Sequence, residues 1–247
     1  MQVIGSFVIL PFALLDTSRL FLQPWAVLEG ILLGVVNAVA TLSLYKGFEV
    51  GRLSVVSPIA SSYPLVSIIL AVSFLGESLT KERLLGIGLV IVGIILVCIQ
   101  ASREDFSKQL THGAAYAIVF MILCGLVFFS LKPVSNALGV YLPVLLMRWV
   151  GALVLAATFL VRKPSGTSQL NVLPSIFAVA VLDTFANVVY NVGVSIGTVS
   201  IVSTIGGLFS AVTVVLACIF LKERLTPHQI VGLLAIAGGV SILGFFG

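Results

Sequence analysis

Apolar residues run along this chain in long unbroken blocks, at approximately residues 1–15, 25–46, 52–75, 84–100, 113–131, 140–161, 173–191, 197–221 and 229–246. Apart from the shorter first one, blocks of about 17 to 25 residues suit a helix crossing a hydrocarbon core about 30 Å thick at 1.5 Å per residue. The pattern predicts nine transmembrane helices. The brief connections between them hold most of the charge: Asp16 to Arg19, Glu77 to Arg83, Arg103 to Lys108, Arg162 with Lys163, and Lys222 to Arg224. No stretch is left for a soluble domain, so the expected fold class is all-α, a polytopic membrane protein.

Composition agrees and narrows the partners. Of 247 residues, 60% are apolar and 9% charged, against roughly 25% charged in a soluble domain. The mean hydropathy is +1.23, and the partner this implies is a lipid bilayer. The net charge of +4 is spread over loops without a basic patch, which excludes nucleic acid as an expected partner. Cys98, Cys124 and Cys218 lie singly inside apolar blocks while His112 and His228 lie in loops. No metal site and no cofactor are therefore expected, and the cysteines read as structural thiols. No Lys or Arg precedes Arg19 to form the basic start of a cleavable signal peptide, so the first block reads as part of the fold.

An internal repeat organises the rest. Sliding the sequence by 146 residues aligns Gly47–Gly93 with Gly193–Gly239 without gaps, about one third of the positions being identical. Gly51 falls on Gly197, Ser54 on Ser200, Ser57 on Ser203, Glu77 on Glu223 and Gly86 on Gly232; upstream, Gly5 falls on Gly151. The turn F-L-x-E-x-L-T recurs at Phe74–Thr80 and Phe220–Thr226. Five spans separate each position from its equivalent, and an odd number inverts the second copy in the membrane. Inverted repeats are a common construction of secondary transporters, with the substrate site near mid-membrane where the copies meet. The boundaries follow: a first repeat over 1–100, a linker over 101–112, and a second repeat over 113–247. Met1 falls on Met147, and nothing matches Gly113–Leu146. Two readings stay open here, a first helix missing from this stretch or a nine-span protein.

Thr226, Pro227 and Gln229 read as an N-cap, a first-turn proline and a capping-box partner; Thr80 with Glu82 repeats the cap less completely. The motif thus starts the last helix of each repeat, which makes Glu77 and Glu223 structural before anything else. Gly30 and Gly34 form a G-x-x-x-G pair, and Gly86, Gly88, Gly93, Gly232, Gly238 and Gly239 stud the two last helices. Small residues there let backbones approach in lipid, so packing is their expected role.

Polar residues in mid-span are the informative ones, because lipid offers them no partner. Asn37, Thr41 and Tyr45 recur at steps of four on one helical face, and Asp183, Asn187 and Asn191 hold the same register in the second copy with Tyr190 beside them. Asp183 reads either as a proton-coupling carboxylate or binder of a substrate amine, or as a structural carboxylate tied to an Asn, a Tyr or Arg148. Arg148 opens its span, where snorkelling to the headgroups competes with anion binding. Ser54, Ser57 and Ser61, near Pro58 and Pro64, correspond to Ser200, Ser203 and Gly207 with Gly206. Prolines and paired glycines at matching depths interrupt the backbone ladder, the best sequence pointer to a transporter site.

The paired turns F-L-G-E-S-L-T and F-L-K-E-R-L-T, each followed by a Gly-studded helix, resemble the EamA-type repeat of the drug/metabolite transporter superfamily over essentially the whole chain. The resemblance implies a ten-helix fold of two inverted five-helix repeats, here lacking the first helix, around a central cavity that works by alternating access. It implies as cavity residues Asn37, Thr41, Tyr45, Ser57, Ser61, Asp183, Asn187, Tyr190, Ser203 and Gly207. The expected function is a secondary transporter, proton-coupled through Asp183, moving a small metabolite, amino acid or drug-like solute, often outward across the plasma membrane. A passive pore and a non-transporting scaffold are the alternatives, and a homodimer is an open expectation. No enzyme is expected, since neither a nucleotide-binding loop nor a base beside a nucleophile is visible.

Overall fold

A computed structural model describes residues 2–14, 23–51, 56, 59–98, 110–162, 173–208, 211–212 and 226–246. Among the described residues there are nine α-helices and no strand: α1 (Gln2–Ala13), α2 (Pro24–Val50), α3 (Tyr63–Phe74), α4 (Lys81–Cys98), α5 (Leu110–Leu138), α6 (Tyr141–Arg162), α7 (Leu173–Ile196), α8 (Val199–Gly206) and α9 (Pro227–Phe246). Stretches of α2, α5, α6 and α7 are long and apolar enough to cross a membrane. Their large outward residues, such as Leu153, Leu182 and Phe185, stay exposed, as lipid-facing positions do.

Helix starts follow the local chemistry. The Thr226 N–H donates to Gln229 Oε1 at 3.0 Å, the side-chain half of a capping box with Pro227 at the first helical position of α9. Thr80 Oγ1 accepts from the Arg83 N–H at 3.3 Å and caps α4. Two turns need glycine: Gly76 between α3 and α4 has φ +64°, and Gly139 between α5 and α6 has φ +85°.

Two apolar blocks are not single helices. The first is broken at Ser62, where tight hydrogen bonds from Ser62 N–H to Ile59 O (3.1 Å) and from Leu65 N–H to Ser62 O (3.0 Å) replace the regular ladder. In the second block α8 ends at Gly206, and Leu208 N–H turns back to Ile205 O at 3.1 Å. Ser62 and Leu208 are 146 positions apart, so the interruptions fall at equivalent places in the two repeats. Pro64 cannot donate to the ladder, and the glycine pair holds it weakly.

The helices form two compact units, one of Met1–Val39 with Ser130–Ile196 and the other of Ala40–Phe129 with Gly197–Gly247. Each takes helices from both repeats, because a helix packs on its own equivalent in the other copy. In the second unit α4 and α9 run antiparallel: a Cβ on Gly93 would stand 2.6 Å from the Gly232 carbonyl oxygen, and one on Gly239 2.7 Å from that of Gly86. Gly86 is the equivalent of Gly232, and Gly93 of Gly239. The contacts therefore exchange under a local two-fold, the signature of an inverted repeat. Ile68, Ile87, Val90, Ile94, Ala211, Ile236 and Leu243 close the core around this crossing. In the first unit α1 packs on α6 and α7, and Gly30 and Gly34 of α2 admit Leu146 and Val150 of α6.

Candidate functional site

Within the first unit, α1 and α6 cross at equivalent positions. Gly5 lies against the Arg148 side chain, where a Cβ would be 3.3 Å from Nε; Gly151, the equivalent of Gly5, lies against Gln2, with Cδ at 3.4 Å. Gln2 and Arg148 are themselves 146 positions apart and touch, Arg148 Nη1 donating to Gln2 Oε1 at 3.0 Å. The repeat thus brings one position of each copy face to face, with an amide on one side and a guanidinium on the other.

The third side is α7. Asp183, near the middle of that helix, accepts Arg148 Nη1 at 2.6 Å through Oδ2. One turn on, Asn187 Nδ2 donates to the Asp183 carbonyl at 2.8 Å and lies 3.5 Å from Oδ1. Thr184 gives its hydroxyl to Ala180 O at 2.7 Å and packs where α1 offers only the hydrogen of Gly5. Arg148 is 5% exposed, whereas the Asp183 side chain is 45% exposed. Arg148 therefore does not snorkel. Its Nη2 is buried with no hydrogen-bond partner among the described residues, although a guanidinium carries five donors and stays charged.

In the second unit a carboxylate has a structural task. Glu77 accepts from Val199 N–H at 2.7 Å through Oε1, and from Ser200 N–H (3.1 Å) and Ser200 Oγ (2.7 Å) through Oε2. An anion there meets the positive end of α8 and its free amides.

The other expected site residues divide between the units. With Asp183 and Asn187, the first unit holds Asn37, which is half-buried, and Tyr190, which is buried. The second holds Thr41, half-buried; Tyr45, exposed; Ser61, buried with Oγ unpartnered among the described residues; and Ser203, buried. Gly207 there packs closely on Pro64 and Ile94. Ser57, Glu223 and Cys218 lie outside the described residues. Gln2 was missed by the reading of polar spans; the repeat register, which puts it on Arg148, carries the signal. Among the described residues no three His, Cys, Asp or Glu side chains gather as metal ligands.

The sequence model of the EamA-like transporter family matches residues 1–99 and 111–245. The chain belongs to this family. It is an integral membrane protein of a membrane transporter family, and it carries the two inverted repeats of an EamA-type fold. An uncharacterized protein of Methanocaldococcus jannaschii is 38% identical over 69 residues, which is 28% of this chain and 50% of that relative. The match thus spans half of the relative's length. A solved crystal structure superposes with a TM-score of 0.73 at 13% identity, covering 99% of this chain and 96% of the other. That likeness shows the fold alone.

Proposed function

We propose that this EamA-family protein is a secondary carrier of the plasma membrane that moves a small metabolite, amino acid or drug-like solute by alternating access. In this reading it is a proton-coupled exporter, and Asp183 takes up and releases the proton. The observation that carries the reading is the Arg148–Asp183 pair between α6 and α7 in the first unit. Charges inside a membrane are expensive and are kept where they act. The equivalent positions of the first repeat carry no charge, Gln2 standing where the second has Arg148 and Asn37 where it has Asp183. A carboxylate that a proton can neutralise, held by a guanidinium that cannot lose its charge, is the element coupling requires.

The test is flux into liposomes containing the purified chain. A carrier gives saturable uptake with counterflow, driven by an imposed pH gradient. Flux that neither saturates nor shows counterflow would identify a pore, and Asp183→Asn that leaves the response to the gradient unchanged would reject the coupling role.

A further inference from the structure

We infer that the transported solute bears a single carboxylate, which Arg148 receives through Nη2, and that it crosses with the proton on Asp183 as an electroneutral one-to-one symport. The inference rests on the carrier reading above and names its substrate class; as a symporter the chain exports where the outward solute gradient exceeds the inward proton gradient.

The guanidinium is half used. Asp183 Oδ2 at 2.6 Å and Gln2 Oε1 at 3.0 Å both sit on Nη1. Nη2 belongs to a side chain 5% exposed and has no acceptor among the described residues. A buried donor without an acceptor is a costly arrangement that a ligand relieves. The planar fork of arginine matches the two oxygens of a carboxylate, and Asp183 engages only one of its nitrogens.

Charge decides the rest. In the empty pair the guanidinium and the Asp183 carboxylate sum to zero. A solute carboxylate added to them leaves one uncompensated negative charge in a poorly solvated place. If a proton binds Asp183 at the same time, the sum returns to zero and Asp183 lets go of Nη1, so the solute can take both nitrogens. Empty and doubly loaded forms are then both neutral, and both can reorient across a membrane. Among the described residues of the first unit, α1 has no titratable side chain, α6 adds only Tyr141 and Arg162 at its ends, α7 adds only Tyr190 two turns away, α2, which packs on α6, adds Glu29, and α5 adds Lys132; Asp183 is the carboxylate bonded to Arg148. The Asp183 side chain is half-exposed while that of Arg148 is buried. A cationic amine on Asp183 would instead strand Arg148 beside a second positive charge.

The experiment uses the intact chain in pyranine-loaded liposomes, with gluconate, L-lactate and phenylpyruvate as probes and lactamide, glucose, choline and inorganic phosphate as comparisons. Inward gradients of the carboxylates should acidify the lumen saturably, at a rate unchanged when the membrane potential is clamped at different values. Carboxylate affinity should tighten about tenfold per unit fall in pH where Asp183 takes up its proton, and Asp183→Asn should flatten that dependence. Arg148→Gln together with Asp183→Asn removes both charges and places amides where the equivalent positions of the first repeat have Gln2 and Asn37; with its folding checked by its unfolding midpoint, carboxylate binding should drop at least tenfold. Saturable flux confined to lactamide, glucose, choline or phosphate overturns the inference while the carrier reading stands. So does carboxylate flux that changes with potential or stays proton-coupled in Asp183→Asn. Absence of saturable flux for every probe overturns both.

Discussion

Glu77 reaches across 122 residues of sequence to close the amino end of α8, its two oxygens 2.7 Å from the Val199 nitrogen and from Ser200 Oγ. The turn that ends α3 in one repeat thereby fixes the broken helix of the other. Hydrogen bonds to a charged acceptor are worth about 1.5–3 kcal/mol each and add incompletely. Glu77→Ala should cost roughly 2–4 kcal/mol, read as a lower unfolding temperature of the purified protein in detergent. Glu77→Gln, which keeps one neutral acceptor, should lose about half as much. Equal unfolding temperatures for Glu77→Ala and the parent would show that the cap adds no stability.

The crossing of α4 and α9 makes a prediction that distinguishes glycines of identical sequence character. A methyl on Gly93 or Gly239 meets a backbone carbonyl within 2.7 Å, which no side-chain rotation relieves. Gly88 and Gly238 have nothing within 4 Å. Alanine at either of the first two should destabilise by about 1–3 kcal/mol, whereas alanine at either of the others should stay within about 0.5 kcal/mol of the parent. Unfolding midpoints of the four variants check the contrast, and a uniform response would mean that the close approach does not carry the packing.

These two cases show what the sequence made legible. Thr80 and Thr226 could be read as caps because the partner of each lies within three residues, and local spacing encodes that contact. The inverted arrangement was legible because duplication leaves a register, and the exchanged pairs Gly86–Gly239 and Gly93–Gly232 are what that register demands of two antiparallel helices. The task of Glu77 was not legible, since a carboxylate that caps a helix 122 residues away leaves no periodic trace. Arg148 was half legible. Its place near a helix start suggested snorkelling, and only its contacts with α1 and α7 show it buried. The ladder breaks at Ser62 and Leu208 were foreshadowed by Pro64 and the Gly206–Gly207 pair, whereas the close fit of Gly207 on Pro64 and Ile94 depends on packing that no spacing reveals.

Gly5 makes room for Thr184, and that gap is testable as a coupling. A Cβ on Gly5 would collide with Thr184 Oγ1 and crowd Arg148. Gly5→Ala should destabilise by about 1–3 kcal/mol. Thr184→Ala gives up a bond to the carbonyl one turn back on its own helix, a smaller loss. In the double variant the methyl finds the space vacated by the hydroxyl, so a double-mutant cycle should return a favourable coupling of about 1 kcal/mol. Additive costs would show that the two side chains do not meet.

The Arg148–Asp183 pair predicts an order of stabilities, because the charge left behind decides the cost. Asp183→Asn leaves a guanidinium that is 5% exposed with only neutral acceptors, whereas Arg148→Gln leaves a carboxylate whose side chain is 45% exposed and already faces Asn187. Breaking a buried pair by removing one partner costs about 3–5 kcal/mol when the survivor is fully buried. Asp183→Asn should approach the lower end of that range, and Arg148→Gln should cost about half as much. Changing both leaves neither charge, and amides already occupy the equivalent places at Gln2 and Asn37. The double variant should therefore be more stable than Asp183→Asn alone, by at least about 1 kcal/mol. Unfolding midpoints of the three variants in one detergent give the order directly. If Arg148→Gln proves the most damaging, the expensive charge is the carboxylate, and the burial of Arg148 does not govern the energetics of the site.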